Sequence, residues 1–157
     1  EALVLGFEVV GSDLDQKQVD RTKENLRWLS SVYNIQPNHY KLSVGDAREI
    51  PQKIGKVDAI VTEPDLGPNG TNLRYENAGT INRLEKLYLD CFSGWKKGLK
   101  PQGKVVIALP SFGENSILVK NVIDKAQAIG YILLSGPYIY ARPQAKVKRN
   151  ICVFELK

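Results

Sequence analysis

Residues 57–68 read Val-Asp-Ala-Ile-Val-Thr-Glu-Pro-Asp-Leu-Gly-Pro, an apolar strand running straight into an acidic side chain, a proline and a glycine. A turn of this kind at the carboxyl end of a buried parallel strand lies where α/β sheets carry their chemistry. Proline fixes φ and removes an N–H, and glycine lets the backbone turn tightly. Glu63 and the carbonyl of Pro64 then form two acceptors on a stiff loop, suited to taking both protons of an amino group. An ordinary strand-ending Glu-Pro turn has the same local residues. A second group lies near the C-terminus, where Lys146, Lys148 and Arg149, with Arg142 nearby, concentrate positive charge suited to a phosphate backbone. A solvated basic hairpin tip fits those residues equally.

The chain that must position these groups has 157 residues, enough for one domain that buries roughly two thirds of its unfolded surface. Hydrophobic content of 43% and charged content of 25% are those of a water-soluble globular protein. No apolar run approaches membrane-spanning length and no signal peptide is visible, so a cytoplasmic protein with no membrane partner is expected. Cys91 and Cys152 fall on a predicted helix and a predicted strand and match no metal spacing, which predicts free thiols in a reducing compartment and no metal site. The single His39 excludes sites built from several histidines, and a net charge of +5 is mild.

Strands and helices alternate along the sequence. Phe7–Leu14 reads as a strand, and Asp15 with Gln18 forms a capping-box pattern for a helix carrying Val19, Leu26, Leu29 and Tyr33 on one face. Tyr40–Val44 and Val57–Thr62 read as strands, and residues 64–80 as a long exposed loop. A helix from about Ile81 places Leu84, Tyr88, Cys91 and Trp95 together and stops at Lys96-Lys97-Gly98, with Pro101 beyond. Val105–Leu109 is a further strand and Asn115–Ile129 a helix ended by Gly130, while Ile132–Ala141 and Asn150–Leu156 read as a terminal hairpin. The expected architecture is a single α/β domain over residues 1–157 with a mostly parallel sheet. Glu1–Gly6 reads as the last turns of a helix stopped by Gly6. A helix already in progress predicts an earlier segment, which in a doubly wound fold is the first strand and its glycine-rich cofactor loop. A short free-standing helix is the alternative.

The order of these signals resembles class I S-adenosylmethionine-dependent methyltransferases, within the branch that methylates exocyclic amino groups of nucleic-acid bases. Glu1–Asp15 is similar to the segment after that family's glycine-rich motif, Gly45-Asp46-Ala47-Arg48 to its third motif, and Glu63-Pro64-Asp65-Leu66-Gly67 to its Asp/Asn-Pro-Pro-aromatic-Gly motif. The resemblance is nearest to RNA guanine-N2 methyltransferases with an upstream THUMP domain and to N6-adenine DNA methylase-like proteins. It implies a Rossmann-like sheet, mostly parallel with a C-terminal antiparallel hairpin and with the first strand missing. It also implies S-adenosyl-L-methionine as cofactor, Asp13 accepting from both ribose hydroxyls, Asp46 from the adenine amino group, and Ala47 leaving room beside the ring. Glu63 and Pro64 would hold the target amine, with its lone pair aimed at the methylsulfonium, without a metal or a covalent intermediate.

Three departures stand out. Glu63 reaches one methylene further than Asp or Asn, Asp65 replaces the second proline and adds negative charge near the substrate, and Leu66 replaces the aromatic that stacks on the flipped base. Such stacking is worth roughly 1–3 kcal/mol, and Tyr75 is either the substitute ring or a mere anchor of its loop. With Arg142, Lys148 and Arg149 on phosphates, the resemblance implies methyl transfer to guanine N2 in tRNA, aided by an upstream RNA-binding domain or a second chain that completes the sheet. The alternatives are an adenine-amino DNA methyltransferase and a non-catalytic methyltransferase-like module that binds RNA or protein.

Overall fold

A computed structural model describes residues 1–67, 78–113 and 115–157, which form two compact units, Glu1–Ile50 and Pro51–Lys157.

The first unit opens on a turn closed by hydrogen bonds in the Schellman pattern. Gly6 N–H donates to Leu3 O (3.1 Å) and Phe7 N–H to Ala2 O (3.0 Å), with Gly6 at φ +86°. β1 (Val9–Asp13) follows, then α1 (Gln16–Tyr33), a 3-10 turn at Pro37–His39, and β2 (Tyr40–Val44). β1 and β2 pair in parallel from Val9↔Tyr40 to Asp13↔Val44. Asp15 caps α1, but its carboxylate accepts from Lys17 N (2.9 Å), one residue earlier than the capping-box pattern expects. Of the predicted α1 face, Val19 is buried, Leu26 and Leu29 are half-buried, and Tyr33 is exposed.

The second unit runs α2 (Ile50–Ile54, which begins at the boundary), β3 (Val57–Thr62), α3 (Ala78–Gly98), β4 (Leu99–Phe112), α4 (Ile117–Ala128), β5 (Tyr131–Tyr140) and β6 (Val147–Leu156). The sheet order is β3-β4-β6-β5. Its core joins one side of the sheet to α3 and α4. Leu84, Tyr88, Cys91 and Trp95 of α3 are all buried, as their spacing predicts, against Val105, Ile107, Leu109, Cys152 and Phe154. At the centre the Phe92 ring meets Trp95, Tyr131 and Phe154 edge-on at 5.4, 4.9 and 5.0 Å. Both cysteines are free and buried, and burial pushes the Cys152 thiol up to about 11.

The α/β class is borne out. Parallel pairing holds for β1–β2 and β3–β4, whereas β4–β6 and β5–β6 are antiparallel, because the hairpin strand β6 returns between β4 and β5. β4 is longer than the predicted Val105–Leu109 and contains Pro101. The register slips there, from Val57↔Leu99 to Ala59↔Lys104, so the proline falls in a bulge that needs no ladder N–H. Among the described residues β1 pairs only with β2, and β3 only with β4, so each has one neighbour where a central strand has two.

Candidate functional site

The Glu63–Gly67 turn follows β3 directly and is tied down at Glu63, Asp65 and Gly67. The Asp65 carboxylate accepts from Gly67 N (2.8 Å) and from Arg83 Nη1 of α3 (2.8 Å). The Asp65 carbonyl accepts from the Tyr88 hydroxyl at 2.5 Å. Gly67 lies at φ +97°, a backbone conformation that strains any residue with a Cβ, although a Cβ there would make only ordinary contact with Leu84 and Phe112 at 3.4 Å. Burial pushes the Asp65 pKa up, but the bond from Arg83, the Gly67 amide and the Arg83 charge together hold it below the ordinary range. The extra negative charge expected at Asp65 is therefore partnered within the protein. Burial, and secondarily the Asp65 charge, pushes the Tyr88 phenol far up, so it stays neutral and donates. Tyr88→Phe is expected to leave a part-buried carbonyl without this partner, costing about 0.5–1.5 kcal/mol of stability in a thermal melt while α3 stays intact.

Glu63 itself, half-exposed, accepts two bonds from one guanidinium, Arg149 Nε to Oε2 (2.6 Å) and Arg149 Nη2 to Oε1 (3.0 Å). The bond from Arg149, reinforced by its charge and opposed by burial, lowers the Glu63 pKa. The structure thus brings together a predicted acceptor and a predicted phosphate contact. Beside Arg149, buried Asn150 donates to Leu109 O (3.1 Å) and Ser111 Oγ (2.9 Å), pinning β6 to β4. Leu66 is half-buried. Tyr75 lies outside the described residues.

Asp13 and Asp46 stand at the carboxyl edge of the β1–β2 ladder, where Gly45 N–H donates to Asp13 O (3.0 Å). The Asp13 carboxylate accepts from Asp15 N at 2.8 Å, one of about four acceptor positions a carboxylate offers. It borders a shallow hollow lined by Gly11, Ser12, Val19, Thr22 and Leu42. A Cβ on Gly11 would come within 2.7 Å of Leu42 Cδ2, so a larger residue there would displace the end of that leucine side chain. Asp46, by contrast, is engaged by Arg48, accepting from its main-chain N (2.9 Å) and, through both oxygens, from its guanidinium (2.9 and 3.0 Å from Nε). Ala47 lies in the turn between them.

Of the remaining basic residues, Arg142 is exposed in the β5–β6 connection, and Lys148 lies on β6 opposite Ser111. Successive strand side chains take opposite faces, so Lys148 and Arg149 do not present one joint charge. Arg83 and Tyr88 were missed as parts of the site. A tyrosine on a buried helix face needs a partner for its hydroxyl, which was a legible signal for Tyr88; nothing local marked Arg83. Among the described residues no group of three or more His, Cys, Asp or Glu could hold a metal ion, and no helix is long and apolar enough to cross a membrane.

Residues 3–128 match the family described as RMKL-like, methyltransferase domain. The chain belongs to that methyltransferase family. The resemblance carried by Glu1–Asp15, Gly45–Arg48 and Glu63–Gly67 therefore holds at family level. The methyltransferase domain is 33% identical over 112 residues to a tRNA (guanine(10)-N2)-dimethyltransferase of Methanothermobacter thermautotrophicus, covering 71% of this chain and 29% of that protein. It is 27% identical over 160 residues to the enzyme of the same name from Pyrococcus abyssi, covering 100% of this chain and 41% of that one. The chain thus spans less than half the length of these relatives. Its fold is similar to the crystal structure of TrmN from Thermus thermophilus, with a TM-score of 0.68 and 23% identity over 99% of this chain and 39% of that one.

Proposed function

We propose that this methyltransferase domain transfers a methyl group from S-adenosyl-L-methionine to the exocyclic N2 of guanine in tRNA. The observation that carries this reading is the Glu63–Pro64 turn at the carboxyl end of parallel strand β3, clamped to α3 through Asp65. Glu63 accepts a hydrogen bond from one N–H of the target amine and the Pro64 carbonyl from the other, which orients the nitrogen lone pair. Negative charge at Glu63 also complements the positive charge that develops on the attacking nitrogen. Leu66 contacts the extruded base, while Arg142 and Lys148 face the phosphates.

The residues at the β1–β2 edge fit the cofactor. Asp13 has acceptor positions for a ribose diol beside the Gly11 hollow, and Asp46 with Ala47 would border the adenine, sharing its carboxylate with Arg48. S-adenosylmethionine, when bound, supplies an electrophilic methyl on a sulfonium centre. Supporting the choice of substrate are the two tRNA guanine-N2 relatives. Residues 1–157 are taken as one catalytic domain acting in the cytoplasm on tRNA, with the single-neighbour strands β1 and β3 open to completion by an upstream segment or a second chain.

Calorimetric titration of the full chain with S-adenosylhomocysteine, combined with nucleoside mass spectrometry of a methylated tRNA transcript, tests the proposal. Binding is expected to weaken about tenfold or more in Asp13→Ala, the scale of a lost charge-assisted hydrogen bond. The product is expected to be N2-methylguanosine. A methylated adenine would move the protein to the N6-adenine class, and RNA binding with no methyl transfer would favour the non-catalytic module.

A further inference from the structure

We infer that Arg149 is a positioning residue for Glu63, holding the carboxylate fixed in orientation so that its remaining lone pairs meet the target amine. This rests on the acceptor role proposed above for Glu63. The two side chains are 86 positions apart in sequence and come from strands that are not neighbours, because β4 lies between β3 and β6. Strands are spaced about 4.8 Å apart, so β3 and β6 lie roughly 10 Å from one another. Only two long side chains can close that gap with two parallel bonds. Glutamate and arginine do so here at 2.6 and 3.0 Å. An aspartate at 63 would fall one methylene short. A lysine at 149 would offer a point charge in place of a planar fork.

The arrangement is supported from both sides. Arg149 is held in register by pairing with Pro110 on β4 and Tyr140 on β5, and the neighbouring Asn150 is bonded into the buried strand edge at Leu109 and Ser111. On the other side, Asp65 and its ties to Arg83, Tyr88 and Gly67 hold the main chain two residues beyond Glu63. The fork occupies two of the roughly four acceptor positions of the carboxylate, leaving positions for an amine N–H. The hydrogen bonds from Arg149, reinforced by its positive charge, also lower the Glu63 pKa.

The test compares Arg149→Met, Arg149→Lys and Glu63→Asp in the full chain, together with Glu63→Ala and the double variant Glu63→Ala/Arg149→Met. Carbon-detected NMR titration of the Glu63 carboxyl reads the pairing directly. In the wild type it should titrate below the ordinary glutamate value of about 4.3, and in Arg149→Met it should return toward that value. The acid limb of kcat against pH should move to higher pH in the same direction. Single-turnover kcat should fall about tenfold to a hundredfold in Arg149→Met, the scale of small misplacements at a reacting centre, with KM for tRNA unchanged. Arg149→Lys and Glu63→Asp should keep the charge and a low titration but lose rate. In the Glu63→Ala background the Arg149 change should cost nothing further. A thermal melt of each variant confirms that it is folded at the assay temperature.

Additive losses in the double variant, with a raised KM for tRNA and a shallower salt dependence, would overturn the inference and make Arg149 a phosphate contact. Ordinary titration of Glu63 in the wild type would overturn it as well. Unchanged turnover in Glu63→Ala would remove the acceptor role itself, and the positioning role with it, even where the titration shows the pair.

Discussion

Replacing Glu63 by alanine is expected to lower single-turnover kcat by at least about a hundredfold, the scale seen when one preorganised polar contact to a developing charge is removed. Affinity for S-adenosylhomocysteine is expected to stay unchanged, since the residues assigned to the cofactor belong to the β1–β2 edge. Glu63→Gln keeps the length of the side chain but loses the negative charge and turns one acceptor into a donor. It is expected to be nearly as impaired as alanine. The fold should survive both changes, because Glu63 is half-exposed and the turn stays anchored by Asp65, Arg83 and Tyr88. Methyl incorporation into a tRNA transcript at saturating cofactor measures the effect. Wild-type turnover in either variant would remove Glu63 from the reaction.

The largest effect on stability is expected at Phe92. Its side chain is fully buried and meets three other rings edge-on, one from its own helix, one from β5 and one from β6. Its carbonyl also accepts from the buried Tyr131 hydroxyl at 2.9 Å. Truncating a buried phenylalanine costs about 3–5 kcal/mol through lost transfer energy and the cavity left behind. Phe92→Ala should sit in the upper part of that range, since edge-to-face aromatic pairs add about 0.5–1.5 kcal/mol beyond burial. Urea denaturation followed by tryptophan fluorescence measures it, because Trp95 is one of the three rings. Trp28→Ala, at a side chain 66% exposed on α1, is the control and should leave the midpoint where it was. A loss below about 1 kcal/mol for Phe92→Ala would mean that the aromatic cluster is not close-packed.

Much of the architecture was legible because it is written in short-range periodicity. The strands Tyr40–Val44 and Val57–Thr62 appear with the bounds their apolar runs imply, and the α3 face from Leu84 to Trp95 is buried as its spacing requires. Phe92 widened that face by one position that strict spacing did not select. The ends of β4 were not legible, because Pro101 reads locally as a stop and only the bulge opposite β3 allows it inside a strand. The terminal antiparallel hairpin was legible, but the antiparallel pairing of β6 with β4 was hidden. Which strand a hairpin inserts beside depends on the packing of the whole sheet, and no local residue records it.

The site divides along the same line. That Glu63 and Pro64 stand at the carboxyl end of a strand follows from the sequence by itself, since an apolar run, a proline and a glycine dictate the backbone within a few residues. The burial expected of that strand does not hold: among the described residues β3 has only β4 beside it, none of Val57–Thr62 is buried, and Val61 is 77% exposed. The caps and acidic edges at Asp13 and Asp46 are local in the same sense. What each of these groups touches was settled only in three dimensions. Glu63 meets Arg149 across 86 positions, and Asp65 meets Arg83 and Tyr88 across 18 and 23. Such pairs exist only after β6 has inserted beside β4 and α3 has packed beneath the turn. Local preference therefore placed the carboxylate, and tertiary packing chose the cation that holds it.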